Sequence, residues 1–263
     1  MLTSRVFLWK KALKLRATDM RSLLNLLLTI PSDLLAYSIG GRRNPISLLG
    51  GTYLVPIFEG KAIFSVRPMT DDLYFIIPER EPIVEKELKR LFNNARGFID
   101  VGANVGYYTI AAALSGLEVL AIEPIDSTAS VLEKNILLNG ISHKVKVVRA
   151  AAWSERTTLT FNVSQYLLGQ ATTRSDLAGS EWELKKVNAL TIDDLSDNLP
   201  NPLVIKVDAE GSEVEILKGA SKTLERTSAL VLEVSLGNLD KIKQLLKEFK
   251  VKPLGGNYYL AER

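Results

Sequence analysis

The chain has 263 residues, 46% of them hydrophobic and 24% charged, which suits a packed core and excludes a disordered polypeptide. It has no cysteine and a single histidine, His143, so disulfides, thiolate metal sites, cysteine nucleophiles and histidine-rich zinc sites are excluded. The formal charge of +3 is unevenly spread: residues 1–50 carry eight basic and two acidic side chains, a basic leader on a slightly acidic body that suits an anionic partner.

The length allows one large domain with a smaller N-terminal addition. Residues 1–45 read as a basic amphipathic helical extension. Val6, Trp9, Leu13, Met20, Leu24 and Leu27 recur at helical spacing, with Lys10, Lys14 and Arg21 between them. The apolar run from Leu23 to Ile30 is interrupted by Pro31 and Asp33, too short to span a bilayer and without a convincing signal cleavage site. Two readings stand for this leader. It is a helix pair packed on the body, or a helix lying in a membrane interface, where basic residues accompany Trp9 and Phe7. Nucleic acid is a weaker third partner. Lys10, Lys11 and Lys14 otherwise read as a wet helix face.

Residues 46–94 read as a small β and helical addition. Strands are predicted over 52–58, 62–66 and 73–77, then a helix over 83–92. From residue 95 to 263 strands and helices alternate. Strands are predicted over 97–101, 119–122, 145–150, 157–163, 203–207, 229–234 and 258–261; helices over 107–114, 127–139, 214–224 and 239–249. Gly140 is a plausible C-cap. Residues 164–188 are the least patterned stretch and read as a loop over a site. Near-continuous apolar strands alternating with helices imply a parallel sheet covered on both faces.

The first candidate site is the turn Asp100-Val101-Gly102-Ala103-Asn104-Val105-Gly106, with Thr109 in the helix that follows. Glycines there let a ligand approach the backbone, and the next helix aims its N–H groups at it. The spacing G-x-x-x-G departs from the dinucleotide fingerprint, and Asp100 would repel a pyrophosphate. An acid in this place suits a cation, and S-adenosylmethionine carries an ammonium and a sulfonium. The next strand ends in Glu123-Pro124, about 20 residues on, where an acid accepts ribose hydroxyls. Ala151 and Ala152, in the turn 150–153, leave room for a flat adenine ring.

Asp100–Thr109, Glu123-Pro124, Asn135 and Asn139, read with the segment from Ile205-Lys206-Val207-Asp208-Ala209-Glu210-Gly211-Ser212-Glu213 to Leu217-Lys218-Gly219-Ala220, make the chain resemble the FkbM-type methyltransferases over roughly 95–263. Ala209 departs from the commoner β-branched residue. The resemblance implies a class I methyltransferase fold: a Rossmann-like, doubly wound α/β sheet of seven mostly parallel strands, one antiparallel near its end. It implies O-methylation of a sugar, glycan or small metabolite, with Asp100, Gly102, Asn104 and Gly106 on the methionine side, Glu123 on the ribose, and Asp208 beside the reacting methyl.

Such a cofactor brings its own leaving group, so the protein mainly orients the acceptor. Lys206 and Asp208 alternate onto one strand face. Asp208 and Glu210 are the candidate bases, although Asp208 would equally serve cofactor binding alone and Glu210 would equally cap a helix. Glu213 and Glu215 read as solvated, and His143 as a surface residue. Asp208, Glu210 and Glu233 together would suit Mg²⁺, but no metal is expected. Competing readings are RNA methylation, for which no N-P-P-Y or D-P-P-Y box occurs, and a cofactor-binding or membrane-associated module without turnover. A cytoplasmic location, peripheral on the inner membrane face if the leader binds lipid, is the expectation.

Overall fold

The computed structural model describes residues 2–38, 45–58, 60–164, 173, 182–209 and 211–263. Its centre is a seven-stranded sheet. In chain order its strands are β4 (Gly97–Val101), β5 (Glu118–Ile122), β6 (Val145–Val148), β10 (Leu203–Val207), β11 (Thr227–Glu233), β12 (Lys250–Gly255) and β13 (Tyr258–Glu262). Across the sheet they run β12-β13-β11-β10-β4-β5-β6, with β13 alone antiparallel to its neighbours.

The two-residue period of the strands divides the core into two layers. Phe98, Val119, Ala121, Val204 and Val231 pack with helices α4 (Pro82–Phe92), α5 (Tyr107–Leu114) and α6 (Asp126–Leu138). Ile99, Leu120, Ile122, Ile205, Val207 and Leu232 pack on the other face, with α8 (Glu213–Lys218), α9 (Ser221–Glu225) and α10 (Leu239–Leu245). The open end of β4 and β10, where the connections on either side depart in opposite directions, is where ligands settle in such sheets.

A hairpin, β2 (Gly51–Ile57) with β3 (Gly60–Val66), joins the first layer, since Tyr53, Val55 and Phe64 belong to the same cluster as Phe98 and Tyr107. The outer edge of β3 is closed by Asn135 of α6 and its C-cap Asn139 rather than by a strand. Asn139 Oδ1 accepts from the Ile63 amide and Asn135 Oδ1 from the Ser65 amide. The Asn139 amide group donates to the Ile63 carbonyl, and that of Asn135 to the Val105 carbonyl in the glycine turn. Two residues spaced four apart on one helix face match two residues spaced two apart on a strand.

Several predicted elements are corrected. Residues 73–77 are not a strand: α3 (Asp72–Phe75) is a short helix, with Asp72 accepting from both the Arg67 amide and its guanidinium. The apolar run is buried either way, and periodicity does not separate a short buried helix from a strand. The predicted helix 214–224 is two helices. They break at Gly219, whose added Cβ would lie 2.0 Å from the Trp153 carbonyl oxygen, and Asp193 of the short helix α7 (Ile192–Ser196) caps the second by accepting from the Lys222 and Thr223 amides. The helix from Leu239 stops at Leu245, and β12 follows. Its lysines and Pro253 hid it, and both are tolerated on an edge strand.

Residues 151–152 are not a turn but strand β7 (Ala151–Ala152). It pairs with β9 (Trp182–Leu190), which pairs in turn with β8 (Thr157–Ser164). The predicted loop 164–188 is therefore strand from 182 onward; residues 165–172 and 174–181 lie outside the described residues.

The leader forms α1 (Leu2–Ala12), the short strand β1 (Arg16–Ala17), antiparallel to β2, and α2 (Met20–Ser38), and Pro31 and Asp33 lie within α2 instead of ending it. Of the six periodic apolar residues predicted as one face, only Trp9 is buried. The fully buried residues of α2 are polar, Ser22, Asn25, Thr29 and Asp33, with Leu26, Ile30 and Leu34 half-buried against the core beside them.

Asn135→Ala would orphan the Ser65 amide and the Val105 carbonyl at about 1–3 kcal/mol per buried group. Urea denaturation is expected to show a loss of that order; an unchanged midpoint would mean that the helix does not hold the hairpin and the turn.

Candidate functional site

Strands β4 and β10 pair in register, Asp100 opposite Lys206 and Val101 opposite Val207. Beyond them the backbones converge. A Cβ on Gly102 would lie 2.0 Å from the Asp208 carbonyl oxygen, and Gly102 has φ of +76°, so no side chain is tolerated there. Asn104 and Gly106 continue the turn in left-handed conformations, and Gly106 opens α5 with Leu132 packed against its Cα.

The Glu123 carboxylate ties this turn to the end of β5. Its Oε2 accepts from the Asn104 amide at 2.9 Å and its Oε1 from the Ile125 amide at 3.0 Å. Burial pushes its pKa up to about 7, against the pull of those two amides and of Arg67. Asp100 is also buried, and burial raises its pKa despite Lys206. Its Oδ2 accepts from Thr109 at 2.7 Å, while Oδ1 has no hydrogen-bond partner among the described residues.

Lys206 donates to Asp208 Oδ2 at 3.0 Å, and its ammonium lies 5.1 Å over the Tyr108 ring. Burial opposes its charge, but Asp208, Asp100 and Glu81 outweigh burial and hold its pKa above the ordinary lysine value. Burial would likewise neutralise Asp208; Lys206, a hydrogen bond with Glu233 and Arg80 overcome this and keep its pKa below the usual carboxylate range. Removing one partner of such a set leaves an uncompensated buried charge, costing about 3–5 kcal/mol.

One cavity of 290 Å³ joins these parts. Gly102, Ala103, Asn104, Gly106, Glu123, Pro124, Ala151, Ala152, Lys206 and Asp208 all line it. Asp100 and Thr109 sit behind the turn, outside the cavity wall. Glu210, the third member of the carboxylate set with Asp208 and Glu233, lies outside the described residues; among the described residues no cluster suited to a metal ion occurs. Glu213 is buried, not solvated: its carboxylate accepts from the Gly211 amide, Ser235 and Asn238, fixing the loop after β10. Glu215 pairs with Lys218, and His143 is exposed on the turn before β6.

Sequence reasoning missed the far end of the cavity, lined by Tyr74, Phe75, Arg80, Glu81 and Tyr258. Glu81 binds Arg80 at 2.6 Å and accepts from the hydroxyls of Tyr108 and Tyr258 at 2.7 Å each. The Arg80 guanidinium lies 5.1 Å from the Tyr74 ring and 5.2 Å from the Phe75 ring. Burial works against its charge, yet Glu81 and the surrounding tyrosines hold its pKa above the ordinary arginine value. The register of β11 and β13, Glu233 opposite Tyr258, brings these groups beside Asp208. Their only sequence signal was an acid ending one strand and a tyrosine opening another.

A seven-stranded sheet in this order, with one antiparallel strand next to its edge and a glycine turn after its central strand, has the architecture of the class I methyltransferases. The chain belongs to the FkbM methyltransferase domain family, whose model matches residues 100–252. It is 28% identical over 155 residues to the hexuronic acid methyltransferase AglP of Haloferax volcanii, covering 58% of this chain and 62% of that protein. It thus spans less than two thirds of the curated relative. Solved structures similar to it include a methyltransferase FkbM from Methylobacillus flagellatus, at 19% identity and a TM-score of 0.46, covering 65% of this chain and 44% of the other. Another is the 16S rRNA N2 G1207 methyltransferase RsmC of T. thermophilus, at 15% identity and a TM-score of 0.48, covering 81% and 50%.

Because Glu123 titrates higher folded than unfolded, its contribution to stability is full below about pH 4.5 and is lost as pH rises through about 7. Glu123→Gln removes this dependence. Between pH 5 and 8, urea denaturation should show the variant gaining on the wild type by roughly 3 kcal/mol. Parallel pH profiles would show that Glu123 is ionised at no unusual cost.

Proposed function

We propose that the protein transfers a methyl group from S-adenosylmethionine to a hydroxyl of a sugar or glycan. The observation that carries this reading is the sharing of one cavity by two carboxylates of different character: Glu123 beside the glycine turn and ionised Asp208 at the neighbouring strand end. Family membership supports the reaction, and the similarity to AglP supports a sugar acceptor.

The residues present fit this cofactor. Asp208 and Glu123 at the cavity wall, with the orphaned Asp100 oxygen behind it, favour a cationic nucleoside and disfavour a pyrophosphate. Glu123 has lone pairs left beyond its two backbone bonds to accept from ribose hydroxyls. Ala151 and Ala152, with Trp153 and Phe161 beside them, form an end with room for a flat base. Gly102 and Gly106 let the backbone come close to the methionine portion. Bound there, S-adenosylmethionine supplies an electrophilic methyl on a sulfonium and leaves as a neutral thioether.

The chain's own work is to hold the acceptor oxygen in line and to take its proton. As the oxygen–carbon bond forms and the carbon–sulfur bond breaks, the acceptor oxygen becomes strongly acidic, so a weak base suffices and the proton passes late to the Asp208 carboxylate. Lys206 keeps that carboxylate ionised and aimed, which makes it a positioning residue. Residues 46–94 supply Tyr74, Phe75, Arg80 and Glu81 and close the acceptor end.

Label from S-adenosylmethionine should pass into acid-containing sugars or glycans incubated with the protein, and Asp208→Asn should lower turnover by roughly 10²–10⁴ while the cofactor still binds. Undiminished turnover in the variant would remove Asp208 from the reaction; label found only in RNA would replace the acceptor.

A further inference from the structure

The leader packs on the body through apolar and polar groups alike: Trp9, Ala12 and Leu15 are buried, and Leu26, Ile30 and Leu34 are half-buried against the core. Helix α2 turns Ser22, Asn25, Thr29 and Asp33 inward. Each is used: Ser22 Oγ accepts from the Thr52 amide, Asn25 donates to Ser47 and Tyr53 and accepts from the Leu49 amide, and Thr29 accepts from the Leu48 amide. Asp33 takes two hydrogen bonds from the Arg5 guanidinium, each 2.6 Å, and one from the Trp9 indole at 2.8 Å. Such bonds are directional and fix the rotation of the helix about its axis.

The consequence is an outward apolar face. Leu23, Leu24, Leu27, Leu28 and Leu35 follow helical spacing and are 43–66% exposed, and Met20 continues the stripe at 69%. Phe7 at 60%, with the Lys11 ammonium 4.7 Å over its ring, and Leu13 at 74% are further exposed apolar side chains of α1 and the turn after it. Scattered surface leucines are ordinary, but a row along a whole helix marks an interaction surface. No helix among the described residues is long and apolar enough to cross a membrane.

The charge around the stripe selects the partner. With the buried Arg5–Asp33 pair set aside, residues 2–38 carry Lys10, Lys11, Lys14, Arg16 and Arg21 against the single acid Asp19. Lys11 and Lys14 reach Glu79 and Arg21 reaches the Leu49 carbonyl, while Lys10 and Arg16 stand exposed. Two copies meeting through the leader would bring one net positive segment against another. An anionic lipid surface meets both the leucine row and the basic side chains.

We propose that the outward face of α2, with Phe7 and Leu13, lies in the interface of an anionic lipid bilayer with its leucines in the acyl boundary and its basic residues among the headgroups. The inference does not rest on the methyltransferase reading. Lipid binding is measured without cofactor or acceptor, so either proposal can fail while the other stands.

The test is sedimentation of the full chain with phosphatidylcholine vesicles, with and without phosphatidylglycerol, at low and high salt. The wild type should bind the anionic vesicles at least about tenfold more strongly than the neutral ones, and less at high salt. Leu24→Gln/Leu27→Gln/Leu28→Gln should weaken binding by about tenfold or more, and Lys10→Glu/Arg16→Glu should abolish the preference for anionic lipid. Circular dichroism and gel filtration establish that each variant is folded. Wild type left in the supernatant, leucine variants that sediment like wild type, or a wild-type dimer that the leucine substitutions dissolve would each overturn the proposal, the last assigning the face to a second copy.

Discussion

The site depends on one buried cation. Lys206 rises from the middle strand pair into a layer otherwise filled by Phe98, Val204 and Val231, and it faces Asp208 and Asp100 together. Without it two carboxylates at adjacent strand ends would repel in a medium that screens them poorly. With it, one of them stays ionised at the cavity wall while the other holds the first turn of α5 through Thr109. The close passage of Gly102 over the Asp208 carbonyl is the backbone counterpart of the same arrangement. An acid beside a glycine turn is therefore held by the sheet itself rather than by a flexible loop.

The elements outside the family match belong to this arrangement too. The hairpin of β2 and β3 is clasped by Asn135 and Asn139, and Asn135 also holds the Val105 carbonyl, so hairpin and glycine turn share one tether. Glu81 gathers Arg80, Tyr108 and Tyr258, setting a polar, cation-bearing group in the cavity that the alanines of β7 also line. Lys11 and Lys14 tie the leader to Glu79, next to that wall.

Strands that are apolar but for one residue were legible: 97–101, with Asp100, and 203–207, with Lys206, lie where the sequence puts them, because burial on both faces leaves only one reading of such a run. The turn after 101 and the acids at 123 and 208 were legible for the same reason, as polar groups placed at strand ends. What escaped depended on partners distant in the chain. Glu213 looks solvated until Ser235 and Asn238 are brought beside it. Tyr258 meets Glu81 across 177 residues. The leader was left with two readings for a different reason: spacing reveals that a helix has an apolar stripe, but not which way the stripe faces. That was decided by Asn25 and Asp33, whose bonding to Tyr53, Arg5 and Trp9 outweighed the burial of leucines.

A structure of the complex with S-adenosylhomocysteine tests the central account most directly. The account places the ribose hydroxyls within hydrogen-bond reach of Glu123, about 2.6–3.2 Å, with the base against Ala151 and Ala152 and the sulfur turned toward Asp208. A nucleoside bound away from Glu123, or a cavity between the glycine turn and Asp208 that stays closed to it, would contradict the account.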